Sequence, residues 1–196
     1  MGDFVVGHGV ERAAGADEQI ERTDDELIAS LNAGDASAFD VLYFRYRDWV
    51  VNLAYRFTGD REISLDVLQE TFLYLARKFP GFRLTAQMKT FLYPAVRNLS
   101  IGARKKTQRF QSSEEELQVI ENTPAVEDAF RENEPLSAVM AQLSEEHREV
   151  LLLRFVDGLS LGEISDALTI PLGTVKSHVT RGRERLLRAL EPNDGR

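Results

Sequence analysis

Cysteine is absent from this chain, and histidine occurs only as His8, His147 and His178. No disulfide framework, thiolate metal site or thiol nucleophile is available, and three imidazoles so far apart in sequence suggest neither a metal nor a cofactor site. Also missing is any apolar run near the roughly 18 residues that a membrane span needs. The N-terminus lacks a basic start followed by an apolar stretch, so no secretory signal is expected. The protein is read as cytoplasmic, with no membrane contact of its own. Alternating strand patterns are lacking too, and helical periodicity dominates.

A further absence is local. From Arg77 to Phe110 there are nine bases and no acid, although the whole chain of 196 residues carries a formal net charge of -8. As a total, that acidity argues against nucleic acid, because polyanions repel acidic proteins. Divided by segment, it argues the other way. Residues 1–23 contribute -3, residues 24–110 contribute +3, residues 111–134 contribute -7 and residues 135–196 contribute -1. A Gly- and Ala-rich leader over 1–22 reads as disordered, and the acidic stretch 111–134 reads as a solvated, flexible linker. Two helical domains remain, 23–110 and 135–191. The second has its own basic segment, Leu172 to Leu190, with five bases against Glu184. A single basic helix is most simply a solvated surface. Two basic faces on two domains favour polyanion binding at two points.

In the first domain, Thr23-Asp24-Asp25-Glu26 is a capping box that should start a short helix ended by Gly34. Phe39, Leu42, Tyr43, Tyr46, Trp49, Val50, Leu53 and Phe57 recur at helical steps, and these aromatics, Trp49 included, are expected in the core. Ser64 is the expected cap of a third helix with Leu65, Leu68, Phe72 and Leu75 inward and Asp66, Gln69 and Glu70 outward. Two carboxylates one turn apart could form half of a metal site, but no histidine lies nearby, so a partner-binding face is favoured. Pro80-Gly81 breaks that helix. Thr85 is the expected cap of the next, which buries Met88, Phe91, Leu92, Ala95, Val96 and Leu99 and presents Lys89, Arg97, Asn98 and Arg104 near Phe82, Phe91 and Tyr93, with Phe91 equally suited by its spacing to the core. Bases beside aromatics suit single-stranded DNA, since bases neutralise phosphates and rings stack on unpaired bases. Pro94 should kink or break this helix.

Leu65-Asp66-Val67-Leu68-Gln69-Glu70-Thr71-Phe72, with Lys89-Thr90-Phe91-Leu92-Tyr93 and Ala95-Val96-Arg97-Asn98-Leu99, resembles region 2 of the extracytoplasmic-function (ECF) sigma factors of bacterial RNA polymerase, in the sigma-70 family. The resemblance implies that Asp66, Gln69 and Glu70 face the clamp helices of the polymerase β′ subunit. It also implies that Phe82, Arg83, Lys89, Arg97, Asn98 and Arg104 lie at the promoter −10 element, with the loop from Pro80 to Gln87 receiving a flipped-out base. The family usually has Trp where this chain has Phe91, and often a base where it has Pro94.

After the linker, Leu136, Val139, Met140 and Leu143 begin an amphipathic helix. Ser144 opens another, running through Val150, Leu151, Leu153 and Phe155 to a stop at Gly158. Ser160-Leu161-Gly162-Glu163 is a second capping box. A tight Thr169-Ile170-Pro171 connection then leads to a basic helix with Val175, Val179, Leu186, Leu187 and Leu190 on its buried side. Helix, short turn and basic helix make a helix-turn-helix. Its outward residues, Thr174, Lys176, Ser177, His178, Thr180, Arg181 and Arg183, suit base edges and phosphates, and Gly173 would admit a phosphate near the helix start. This domain resembles sigma region 4, which implies −35 recognition and a seat on the β flap. It is also similar to the helix-turn-helix of response regulators.

The reading is an all-α alternative sigma factor without enzymatic activity. It binds core RNA polymerase and promoter DNA, and the resemblance implies an anti-sigma partner. Two alternatives stand beside it: a helix-turn-helix regulator acting on duplex DNA without polymerase, and a metal-dependent nuclease built on Asp66 and Glu70.

Overall fold

The computed structural model describes residues 22–111 and 139–190. The expected leader before Arg22, the linker from residue 112 onward and Leu136 lie outside the described residues. Among the described residues the regular structure is helical, as α1 (Asp24–Asn32), α2 (Ser37–Thr58), α3 (Arg61–Ala76), α4 (Met88–Gln111), α5 (Glu145–Phe155), α6 (Leu161–Leu168) and α7 (Leu172–Leu190). A helical turn at 139–141 precedes α5.

Helix α1 starts where its capping box places it. The Thr23 N–H donates to Glu26 Oε2 at 2.7 Å and the Glu26 N–H donates back to Thr23 Oγ1 at 3.3 Å, so two free donors at the helix start are satisfied together. At its other end Asn32 ties down the 80–82 loop. Its Nδ2 donates to the Phe82 carbonyl at 2.8 Å, and its Oδ1 accepts from the N–H groups of Gly81 and Phe82 at 2.6 and 3.1 Å.

Helix α3 begins one turn earlier than Ser64 suggests. Asp60 is the cap, its Oδ1 accepting from Glu62 N–H at 2.7 Å and Ile63 N–H at 3.0 Å. Ser64 is buried instead, with its hydroxyl on the Asp60 carbonyl. The buried face is Val67, Leu68, Phe72 and Leu75, centred so that Leu65, expected inward, is exposed. Thr85 lies outside α4, which begins at Met88. The helix runs unbroken through Pro94. Pro94 removes one N–H, but the buried Met88, Leu92 and Val96 hold helix on both sides of it.

Helices α2, α3 and α4 pack on one another, and α1 closes against α2. In the second domain, the Ser160–Glu163 capping box forms as expected, and Gly158 turns the chain at φ 77°. Helix α7 crosses α5 closely at Gly182, where a Cβ would come within 3.0 Å of Leu151 Cδ1. Val175 is fully buried and Val179 and Leu186 half-buried, but Leu187 and Leu190 are exposed, contrary to the apolar pattern. Phe155 is exposed as well, because α5 ends there and the chain turns away.

The two domains do not stand apart. Helix α6 packs against α4, and one buried apolar cluster runs from Leu27, Leu53 and Leu92 through Val150, Leu153, Ile164 and Val175.

Arg148 organises the start of the second domain. It is buried, with Nε donating to the Met140 carbonyl at 2.8 Å and Nη2 to the carbonyls of Ala141 and Leu143 at 2.7 and 2.9 Å. It thus closes the free carbonyl end of the 139–141 turn. Arg148→Met would keep the bulk and leave those carbonyls without their charged donor, so urea titration should show a loss of about 2–4 kcal/mol in unfolding free energy.

Candidate nucleic-acid interface

Three surfaces carry the residues singled out by sequence. On α3, Asp66, Gln69 and Glu70 are all exposed on one face, together with the exposed apolar Leu65, Leu73 and Tyr74. An acidic face mixed with exposed apolar side chains suits a protein partner better than a polyanion.

The second surface is the 80–87 loop with α4. Phe79, Phe82 and Phe91 form a chain of rings, with centroids 5.5 Å apart for the first pair and 4.8 Å for the second, and Phe91 stacks on Tyr74. Phe82 and Phe91 are half-buried, while Arg83 and Asn98 are exposed and Arg104 is half-buried. Lys105 and Lys106 extend the exposed positive edge.

Lys89 and Arg97 differ from the others, because groups of the second domain already hold them. Lys89 Nζ donates to the Asp157 carbonyl at 2.9 Å and lies over the Trp49 ring. Arg97 Nε donates to Glu149 Oε1 at 2.8 Å. The same carboxylate accepts from the Tyr93 hydroxyl. Tyr93 is buried, and that burial, reinforced by the Glu149 charge, pushes its phenol well above the usual range. Burial by itself would lower the Arg97 guanidinium, but Glu149 reverses the sign and keeps it firmly charged. Tyr93 is therefore part of a contact between domains and presents no free ring for a base.

Beneath these contacts sits Asp157, whose carboxyl is almost fully buried. Arg56 Nη1 donates to Oδ2 at 2.8 Å and Nη2 to Oδ1 at 2.6 Å, a two-pronged ion pair, and Trp49 Nε1 adds a third bond to Oδ1 at 2.8 Å. Trp49 is thus half-exposed and bonded across the domains, not a plain core residue. Sequence reasoning missed Asp157, Glu149 and Arg56. One signal was available: Arg56 follows Trp49 and Leu53 at i+7 and i+3, on the stripe that should be apolar, and a charge there requires a buried counter-charge. Nothing in the pattern could name the partner, 101 residues away.

The third surface is α7. Lys176, Ser177, Thr180, Arg181 and Arg183 are exposed, and Thr174 is half-buried at the helix start. His178 departs from expectation. It is half-buried against His147, with ring centroids 5.0 Å apart, because its position shares the side of α7 that faces α5. Burial and the His178 ring lower the pKa of His147, whose Nδ1 pairs with the Ser144 hydroxyl at 2.6 Å. At Gly173 a Cβ would meet nothing within 4 Å, so this fold by itself does not call for glycine there.

Comparison with known proteins covers both domains. The chain matches the family described as Sigma-70 region 2 over residues 42–110 and that described as Sigma-70, region 4 over residues 133–186. It is 31% identical over 184 residues to the ECF RNA polymerase sigma factor SigW of Bacillus subtilis, covering 87% of this chain and 98% of that protein. It is 29% identical over 185 residues to the RNA polymerase sigma-H factor of Pseudomonas aeruginosa, covering 88% and 96%. Among solved structures, the fold is similar to that of CnrH in complex with the cytosolic domain of CnrY, with a TM-score of 0.62 at 20% identity over 88% of this chain and 99% of that one. It is also similar to the sigma factor RpoE of Bartonella quintana in complex with the anti-sigma factor NepR, with a TM-score of 0.58 at 21% identity over 79% and 98%. With both regions present in order, and with relatives matched along nearly their whole length, the chain belongs to the ECF group of the sigma-70 family of RNA polymerase sigma factors.

Proposed function

We propose that the chain divides the work of promoter recognition between its domains, 23–110 and 135–191, on either side of an acidic linker. Asp66, Gln69 and Glu70 bind the β′ clamp helices of core RNA polymerase. Phe82, Arg83, Lys89, Arg97, Asn98 and Arg104 meet the −10 element, and Thr174, Lys176, Ser177, Thr180, Arg181 and Arg183 meet the −35 element, with His178 at its margin. The observation that carries this reading is the separation of charge: exposed acids on α3, exposed bases on α7, and an acid-free run from Arg77 to Phe110. Polyanion and protein partner are thereby sent to different faces.

In this reading the protein has no enzymatic activity. It acts by binding the opened strand, which shifts the melting equilibrium towards the open promoter. It works in the cytoplasm, where the polymerase and chromosome are, and no helix among the described residues is long and apolar enough to cross a membrane. A regulator working on duplex DNA alone would not need the exposed acidic and apolar face of α3, and specific duplex binding without core enzyme would overturn the sigma assignment of these surfaces.

Two substitutions separate the surfaces. Arg181→Ala removes one groove contact, worth about 1–3 kcal/mol, so −35-dependent transcription at saturating core should fall by about tenfold or more while core affinity holds. Asp66→Arg places a base on the acidic face and should lower core affinity by at least about tenfold in a competition assay. Excess protein should then restore transcription, since neither DNA surface is touched.

A further inference from the structure

The loop between α3 and α4 carries Phe82 and Arg83, two of the residues assigned to the −10 element, yet before Met88 it is neither helix nor strand. Its first half is held by a side chain from α1. Asn32 is the last residue of that helix, and its amide meets the loop on both edges. Oδ1 accepts from the Gly81 and Phe82 N–H groups at 2.6 and 3.1 Å, and Nδ2 donates to the Phe82 carbonyl at 2.8 Å. Gly81 turns the backbone at φ 95°, in the left-handed region, and two successive N–H groups converge there on one oxygen. Among short side chains, a carboxamide alone offers an acceptor and a donor on one rigid plane.

The platform behind Asn32 is firm. Leu27 and Ile28 bury α1 in the apolar core, and the Asp24 carboxylate is held by Arg45 at 2.6 Å and by the Tyr46 hydroxyl. In the other direction, the fixed backbone sets the Phe82 ring between Phe79 and Phe91, with centroids 5.5 and 4.8 Å away, and leaves Arg83 exposed beside it.

We propose that Asn32 is a positioning residue for strand capture: it holds the 80–82 backbone in the form that presents Phe82 and Arg83 to an unpaired base and its phosphate. The inference rests on the reading of this loop and α4 as the −10 surface. Asn32 touches no DNA itself, and its effect is carried through the loop backbone. Gly81 is exposed and Phe82 half-buried, so water takes over the three bonds when the side chain is cut back, and the core behind α1 is untouched. Loss of the amide therefore widens the set of loop conformations and leaves the fold in place. Affinity for the strand falls with the fraction of molecules whose loop is in the receiving form, so a loop correctly placed about one tenth of the time captures a strand about tenfold more weakly.

The test uses the full chain assembled with core RNA polymerase. A promoter is selected from random duplexes by transcription with the parent holoenzyme. The probe is its fluorescein-labelled non-template single strand, intact or with an abasic site at each −10 position in turn. The parent should lose affinity sharply at the abasic position that faces the loop. Asn32→Ala should bind the intact strand about five- to tenfold more weakly and lose less than about twofold further at that position, because its loop no longer receives the base. Abasic sites elsewhere in the element should cost both proteins alike. Asn32→Gln keeps both edges of the amide and should recover part of the affinity. Core affinity should be the same in each, and Asn52→Ala, on the exposed side of α2, should match the parent throughout.

This position-specific pattern, with recovery by Gln, supports the proposal, since a merely structural role would weaken all strands alike. Parent-like binding by Asn32→Ala, or an equal further loss at the loop position, overturns the proposal alone. So does an Asn32→Ala chain that fails to fold by circular dichroism, or an Asn32→Gln chain that binds no better than Asn32→Ala. A parent holoenzyme that selects no promoter, or that is indifferent to abasic sites at every position, overturns the −10 reading of the loop, and the role of Asn32 falls with it.

Discussion

The arrangement of this molecule depends on one buried carboxylate. The Asp157 carboxyl is almost fully removed from water, and the Arg56 guanidinium nearly as completely. Burying two such charges costs several kcal/mol per ion, and only good geometry offsets it. Here the two-pronged pair and the Trp49 indole supply that geometry, filling both oxygens of the carboxylate. Such a pair adds little net stability compared with apolar residues of the same size, but it is unforgiving about position. It therefore fixes how the two domains meet more than it strengthens their meeting.

The rest follows from that register. With Asp157 seated on α2, its carbonyl reaches Lys89, α6 lies on α4, and Glu149 is brought to Arg97 and Tyr93. The apolar cluster then becomes continuous across the domains. A protein with two basic helices and a net charge of -8 thus has its bases divided. Those on α7 face solvent, while on α4 Arg97 faces the Glu149 carboxylate and Lys89 the Asp157 carbonyl.

Much of this was legible in the sequence because the signals were local. Both capping boxes form at the residues that spell them, and the turn between α6 and α7 lies where Thr169-Ile170-Pro171 places it. Local signals also misled where two residues competed. Asp60 and Ser64 are both good caps, and the carboxylate one turn earlier took the helix start. Pro94 was expected to break α4, yet apolar burial on either side outweighs one missing hydrogen bond. His178 sits by His147 because periodicity gives a face only to within a fraction of a turn. What no local pattern contained was the meeting of Arg56 with Asp157, since a long-range ion pair leaves one misplaced charge in each stripe and no indication of which two belong together.

The central claim is that the Asp157–Arg56 pair fixes how the two domains meet. Pulsed electron-electron double resonance between one spin label on an exposed position of α3 and another on the exposed face of α7 measures this directly, in the parent chain and in Asp157→Asn. The account predicts a single narrow distance in the parent chain and a broader distribution in the variant. A broad distribution in the parent chain, or the same narrow distance in both, would contradict it.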